Sequence, residues 1–164
     1  MFTRRLHGWL KFLVLGEQCS VKLARSFCVG IFIAFSPFIG FHTIMKIVFS
    51  WLFRLNMATV FAISCLINNP WTMIPVYSVG YFFGEFLLHT LCGFDTIGSN
   101  PTWMTAFNET LTFYIGLPKI SLWSFLLGGN LLGIILALAL YPAVYNLFTK
   151  LSFEAAPDEA DSAQ

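Results

Sequence analysis

Apolar residues in this 164-residue chain gather into three long blocks, 26–53, 57–94 and 121–148, and the polar positions between and inside them carry most of the information. Ahead of the blocks, Leu6, Trp9, Leu10, Leu13 and Val14 recur at helical spacing while Arg4, Arg5 and Lys11 fall mostly elsewhere around the helix. That spacing predicts an amphipathic helix lying at a membrane surface with its bases toward anionic headgroups. As one straight helix the first block would reach about 42 Å at ~1.5 Å per residue, well beyond a ~30 Å hydrocarbon core. A break is expected, and "FSPFIGFHTIMK" places it at Pro37 and Gly40. Proline removes a backbone donor and clashes with the preceding turn, and glycine tolerates angles that other residues avoid. The second block is long enough for two half-length elements, or for one crossing plus a re-entrant piece. "INNPWTMIPVYSVGY" divides it at Pro70 and Pro75, because Asn-Pro favours a turn and the residue before a proline leaves helical geometry.

Between the two blocks, "RLN" fits a tight interfacial turn in which Arg54 and Asn56 touch phosphate headgroups. The polar stretch 95–119 reads as an extramembrane loop with an interfacial helix. The block 121–148 reads as an uninterrupted crossing, with Gly128, Gly129 and Gly133 forming a small-residue face for close helix packing. "FEAAPDEADSAQ" has the composition of a disordered acidic end. The expected organisation is therefore an interfacial helix over 1–25, one membrane domain over 26–150 and a tail over 151–164.

Composition strengthens this picture: 57% hydrophobic and 18% aromatic residues, with only 10% charged, exclude an ordinary soluble domain. The mean hydropathy of +0.75 agrees. A net charge of +1 with no basic stripe excludes nucleic acid as a partner. Arg4, Arg5, Lys11, Lys22 and Arg25 precede the first block and place the N-terminus on the cytoplasmic side, so the expected location is multi-pass in a bacterial inner membrane. Lys119 and Lys150 flank the last crossing symmetrically and leave the side of the C-terminus open. Cys19, Cys28, Cys65 and Cys92 show no CxxC or zinc-ligand spacing and read as buried, inert thiols.

Two apolar blocks, each broken by proline beside hydrogen-bonding residues, form the pattern of discontinuous helices that build a midplane site in transporters. The first interruption contributes Ser36, His42, Thr43 and Lys46; the second contributes Asn68, Asn69, Thr72 and Tyr77. Half-helix N-termini there would offer unpaired N–H groups and partial positive charge to an anion. The plainer reading is that the prolines kink helices for packing and Asn69 caps the half-helix after it. Lys46 and Glu85 are opposite charges inside the two blocks, and they either approach one another or snorkel separately to an interface. His42, Glu85 and His89 are too few and too scattered for a metal site, and no GxSxG or serine–histidine–acid set points to catalysis. No cofactor is expected.

The residues "GIFIAFSPFIGFHT", "RLN" and "NPWTMIPVYSVGYFFG", at 30–43, 54–56 and 69–84, together resemble the signature of a bacterial membrane-protein family known as domain of unknown function two-thousand-and-sixty-two. The likeness runs through Gly30, Pro37, Gly40, Thr43, Arg54, Asn56, Asn69, Pro70, Thr72, Pro75 and Tyr77 in order. One departure is "SVKLARSF" where that family often opens its lead-in with Ser-Pro. Fusion of some similar proteins to glycosyltransferase domains implies envelope or lipid-linked sugar chemistry. The expected fold is all-α, a small polytopic membrane bundle with two proline-broken, discontinuous or re-entrant elements. The expected function is transport or translocation of a polar or anionic substrate, a lipid-linked one included, bound by Ser36, His42, Thr43, Lys46, Asn68, Asn69, Thr72, Tyr77 and Glu85. The alternative is a non-catalytic membrane scaffold for an envelope glycosyltransferase. The lipid bilayer is a partner in both, and three or four crossings enclose so little volume that a homo-oligomer fits either.

Overall fold

The computed structural model describes residues 19–38, 40–93, 95, 98–115 and 119–162. The predicted amphipathic helix therefore lies mostly outside the described residues; its last turn and a half, from Ser20, belongs to the first helix below. Among the described residues all regular structure is helical: α1 Ser20–Phe35, α2 His42–Leu52, α3 Met57–Ile67, α4 Pro70–Glu85, α5 Thr102–Ile115 and α6 Leu122–Ser162, with a π-helical stretch Phe86–Leu91 continuing α4.

Each boundary has a local cause. Helix α1 stops at Phe35 because Ser36, preceding Pro37, takes an extended conformation (φ −67°, ψ 129°). Gly40 then turns the chain at φ 89°, a value that side-chain-bearing residues rarely adopt. The "RLN" turn uses Arg54 at φ 50°, and the Asn56 side chain caps α3 by accepting the Thr59 N–H at 3.0 Å. At the second interruption Asn69 accepts the N–H groups of Trp71 and Thr72 at 2.9 and 3.1 Å. The Thr72 hydroxyl oxygen accepts the Asn69 N–H at 3.2 Å, which closes a capping box in front of Pro70. Pro75, expected to divide this block, lies inside α4 instead; the helix continues across it. One missing N–H removes a single helical hydrogen bond, which neighbouring turns absorb.

The first block does not run on in one direction through its interruption. The Ser36 carbonyl meets His42 at the start of α2, and the Asn56 N–H, just beyond the end of α2, donates to Ser26 in the second turn of α1 at 2.8 Å. Contacts at both ends fold α2 back along α1. Helix α3 then returns beside both, placing Asn68 next to His42. Helices α2 and α3 have 11 residues each, about 16 Å at ~1.5 Å per residue, so they form a hairpin of half-membrane length.

Helix α6 runs antiparallel to α1 as the backbone of the bundle. Ser20 and Ser152 hydroxyls meet at 3.1 Å, the Phe27 and Phe148 rings meet edge-on at 6.1 Å, and Ser36 reaches Asn130 at 3.1 Å. Leu23, Ala24, Val144, Phe148 and Leu151 form the core between these two helices, and Ile33, Leu55 and Val60 form a second one where α1, α2 and α3 converge. The glycine face of α6 works as its spacing predicts. A Cβ on Gly129 would sit 2.7 Å from the Phe35 carbonyl oxygen, and one on Gly133 would sit 3.1 Å from the Phe35 Cβ. Gly80 and Gly84 on α4 face the same stripe, so α1 and α4 both reach the backbone of α6. Asn108 in α5 accepts the Ile120 N–H at 3.1 Å and donates to its carbonyl at 2.8 Å, tying α5 to the start of α6.

The stretch Leu122–Phe153, 32 residues at mean hydropathy 2.0, is long and apolar enough to cross a membrane. Only 17% of its most apolar window is buried inside the chain, unlike the core helix of a soluble protein. Helices α3 and α4 with the π-helical stretch pass the same test together but are bent by 82° at the second interruption. The helical backbone of α6 continues to Ser162, through the stretch whose composition predicts a disordered tail. Glu154, Ala155, Ala156, Glu159 and Ala160 are strong helix formers on either side of Pro157, and the helix continues past that proline as α4 does past Pro75.

Candidate functional site

The two interruptions meet. Four helix ends, the C-termini of α1 and α3 and the N-termini of α2 and α4, come to one level of the bundle, and Asn130 of α6 joins them there. Asn130 is eight residues into α6, about 12 Å from its start at ~1.5 Å per residue, so the meeting point lies inside the bundle and not at its end.

His42 is the centre. Its Nε2 lies 3.0 Å from the Ser36 carbonyl, which only accepts, so Nε2 carries the hydrogen and donates. The same nitrogen is 3.4 Å from Asn68 Nδ2 and 3.4 Å from Tyr77 Oη. Asn68 Nδ2 donates to Tyr77 Oη at 3.1 Å. The Ser36 hydroxyl, on a fully buried residue, donates to Asn130 Oδ1 at 3.1 Å, and Asn130 donates in turn to the Leu126 carbonyl at 2.8 Å. Donors thus outnumber acceptors around His42. Asn68 Oδ1 is buried without a hydrogen-bond partner, a condition that costs about 1–3 kcal/mol unless something fills it.

The other expected site residues divide into three groups. Asn69 and Thr72 sit at the same level, but Asn69 Oδ1 and the Thr72 hydroxyl are used within the capping box, Asn69 Nδ2 donates to the Leu66 carbonyl at 3.2 Å, and Thr72 also donates to the Ile67 carbonyl. The amino end of α4 therefore does not present its first N–H groups to an anion, contrary to the expectation for a half-helix. Helix α2 differs, because no side chain caps it. Thr43 is exposed on that first turn and makes no side-chain hydrogen bond among the described residues.

Lys46 and Glu85 are not partners. Lys46 is 7% exposed, with its Nζ 5.1 Å from the Phe61 ring centre and 3.5 Å from Cys65 Sγ. Glu85 accepts from the Ser124 hydroxyl at 2.6 Å. The separation has a topological cause: α2 packs with α1 and α3, while α4 leaves the hairpin at 82° to pack on α6. Glu85 is two turns of α4 away from Tyr77, about 12 Å at ~1.5 Å per residue, and stands outside the cluster. Arg54 is exposed in its turn, whereas Asn56 is occupied as the cap of α3 and the anchor to Ser26. The thiols also depart from expectation: Cys28 is buried, but Cys19, Cys65 and Cys92 are exposed.

Sequence reasoning missed Asn130, Ser124 and Tyr81. The signal for Asn130 was present, since it is the one amide in the apolar run "LLGGNLLGIILALAL" and would need a partner there. Tyr81 and Ser124 carried no comparable signal; their partners come from the crossing of α4 and α6, where Tyr81 Oη accepts the Ser121 N–H at 3.4 Å. Beside the cluster, a cavity of about 530 Å³ is lined mainly by Ile74, Tyr77, Tyr81, Phe82, Ile120 and Phe125.

Comparison with known proteins adds the family. The family model described as "Uncharacterized protein conserved in bacteria (DUF2062)" matches residues 3–154, and the chain belongs to that family. No curated protein and no solved structure matches the chain.

Proposed function

We propose that this member of the family is a multi-pass protein of the bacterial inner membrane, N-terminus cytoplasmic, whose two interruptions are discontinuous or re-entrant membrane elements. Its function on this reading is transport or translocation of a polar or anionic substrate, a lipid-linked one included, through the site where the interruptions join. One observation carries the reading: His42 of the first interruption stands 3.4 Å from both Asn68 and Tyr77 of the second, Asn68 donates to Tyr77, and Ser36, whose carbonyl accepts from His42, continues the cluster to Asn130. Polar groups held at a common depth inside an apolar bundle are costly, and they are kept where a substrate or ion must be met. The buried, unmatched Asn68 Oδ1 can only accept, so it adds to this for a guest that carries a hydroxyl or other donor beside its polar head. The exterior supports the membrane part of the reading, with Trp71 91%, Trp51 80% and Leu138 70% exposed on the lone chain.

The test is movement of a fluorescent anionic lipid between leaflets. The purified full chain goes into liposomes carrying NBD-labelled phosphatidylglycerol, and dithionite reports the labelled lipid that reaches the outer leaflet. Wild-type protein should carry bleaching beyond the outer-leaflet pool, and His42→Ala should stop it there. Bleaching confined to the outer leaflet with wild-type protein, together with co-purification of a glycosyltransferase, would replace this reading with the scaffold.

A further inference from the structure

The buried lysine separates an anion from other polar guests. Lys46 is one turn beyond His42 on the same face of α2, 7% exposed, and contacts the Phe61 ring and the Cys65 sulfur. Among the described residues no carboxylate forms an ion pair with it. A ring face and a thiol attract an ammonium but do not neutralise it, so a buried positive charge is left uncompensated beside the cluster. The Lys46 Nζ lies against α3 at Phe61 and Cys65, and Cys65 is one turn before Asn68 of the cluster. The N–H₂ of Asn68 and the O–H of Tyr77 gather beside His42, whose own Nε2–H is taken by the Ser36 carbonyl.

The second observation is apolar. Tyr77 belongs to the cluster through its hydroxyl and also lines the cavity of about 530 Å³ between α4 and α6. The remaining walls are chiefly hydrocarbon and aromatic, and Ile74 and Phe82, 75% and 67% exposed, leave the cavity open to the outside of the bundle. A volume of this size holds a ligand fragment, and these walls suit a chain of methylenes.

We infer that the joined interruptions take an amphipathic anion, a lipid whose phosphate sits against Lys46, His42, Asn68 and Tyr77 while its chain lies in the cavity beyond Tyr77. This rests on the proposed reading of the site and goes on to name the class of guest. A phosphate oxygen accepts from several converging donors at once, and its charge supplies the counterion that Lys46 lacks.

Binding to the detergent-purified full chain, read by native mass spectrometry, tests it with three probes: phosphatidic acid, diacylglycerol and inorganic phosphate. Phosphatidic acid should bind, diacylglycerol should not, and inorganic phosphate should bind far more weakly than the lipid. Lys46→Met should weaken phosphatidic acid binding about 10- to 100-fold, the range set by one charge-assisted hydrogen bond. Lys46→Arg should restore most of it. Undiminished binding by a folded K46M chain overturns the inference, and so does equal binding of diacylglycerol. Equal binding of inorganic phosphate overturns its hydrocarbon half. If K46M does not fold, the three probes on the wild-type chain decide alone. Lys46-dependent binding without lipid movement sinks the transport reading and leaves this one standing; movement of neutral lipid that ignores Lys46 does the reverse.

Discussion

The hydrogen bond from Ser36 to Asn130 is the link between the first interruption and α6, and a double-mutant cycle measures it. Ser36 is fully buried and its hydroxyl has a single acceptor at 3.1 Å. Asn130→Leu leaves that hydroxyl unmatched and also removes the bond to the Leu126 carbonyl. Its expected cost is about 1–3 kcal/mol, the penalty for stranding a buried polar group. Ser36→Ala strands Asn130 Oδ1 instead, but the flexible amide can seek other donors, so about 1 kcal/mol is expected. In the double mutant both stranded atoms are gone, and the loss of the Leu126 bond cancels from the cycle. The double mutant should therefore be less destabilised than the sum of the singles by about 0.5–1.5 kcal/mol, or nearer ~0.6 if the bond behaves as those inside membrane bundles do. Unfolding of the full chain by dodecyl sulfate in mixed micelles, followed by circular dichroism, gives the four free energies. Additivity within about 0.3 kcal/mol would mean that the interruption and α6 are not energetically coupled, and the argument for a joined site would fall with it.

Gly129→Val should destabilise the same micellar fold by about 1–3 kcal/mol, because the added carbons meet the Phe35 carbonyl and Pro37; Gly40→Ala should instead act through backbone strain at φ 89° alone. Asn69→Ala should cost about 1–2 kcal/mol through loss of the capping box and of the bond from its Nδ2 to the Leu66 carbonyl, while Asn69→Ser, which keeps the cap acceptor, should cost less; equal losses for the two would show that the cap contributes nothing. Tyr77→Phe should preserve the edge contact with Phe125 at 5.7 Å and the melting point within a few degrees, yet reduce lipid movement as strongly as His42→Ala, since it removes the hydroxyl shared by His42 and Asn68.

The positions at which the helices stop were legible along the chain because their causes are local. Pro37 disfavours helix at Ser36, Asn69 and Pro70 begin a helix by side-chain and ring chemistry, and Asn56 caps α3 within three residues. Pro75 shows the limit of this reading, since a proline in an otherwise helical run can be passed over when neighbouring turns hold. The candidate site was legible as a set of residue types, and His42, Asn68, Tyr77 and Ser36 do come together. Thr43 and Glu85 do not, because belonging to an interrupted block says nothing about which side of a helix faces inward or which neighbour it meets.

Hydrophobic blocks, caps and proline positions are properties of adjacent residues, so the chain by itself determined the all-helical class, the interruptions and the glycine stripe of α6. Direction is different. Whether the chain continues or reverses at Ser36–Phe41 depends on where α2 can bury its inner face, and packing against α1 and α3 chose reversal. That choice sends Lys46 to Phe61 and Cys65, leaves Glu85 to Ser124, and brings Asn130 from a distant part of the sequence to complete the cluster. Such partners are selected by close contact between helices far apart in the chain, and only the folded bundle decides them.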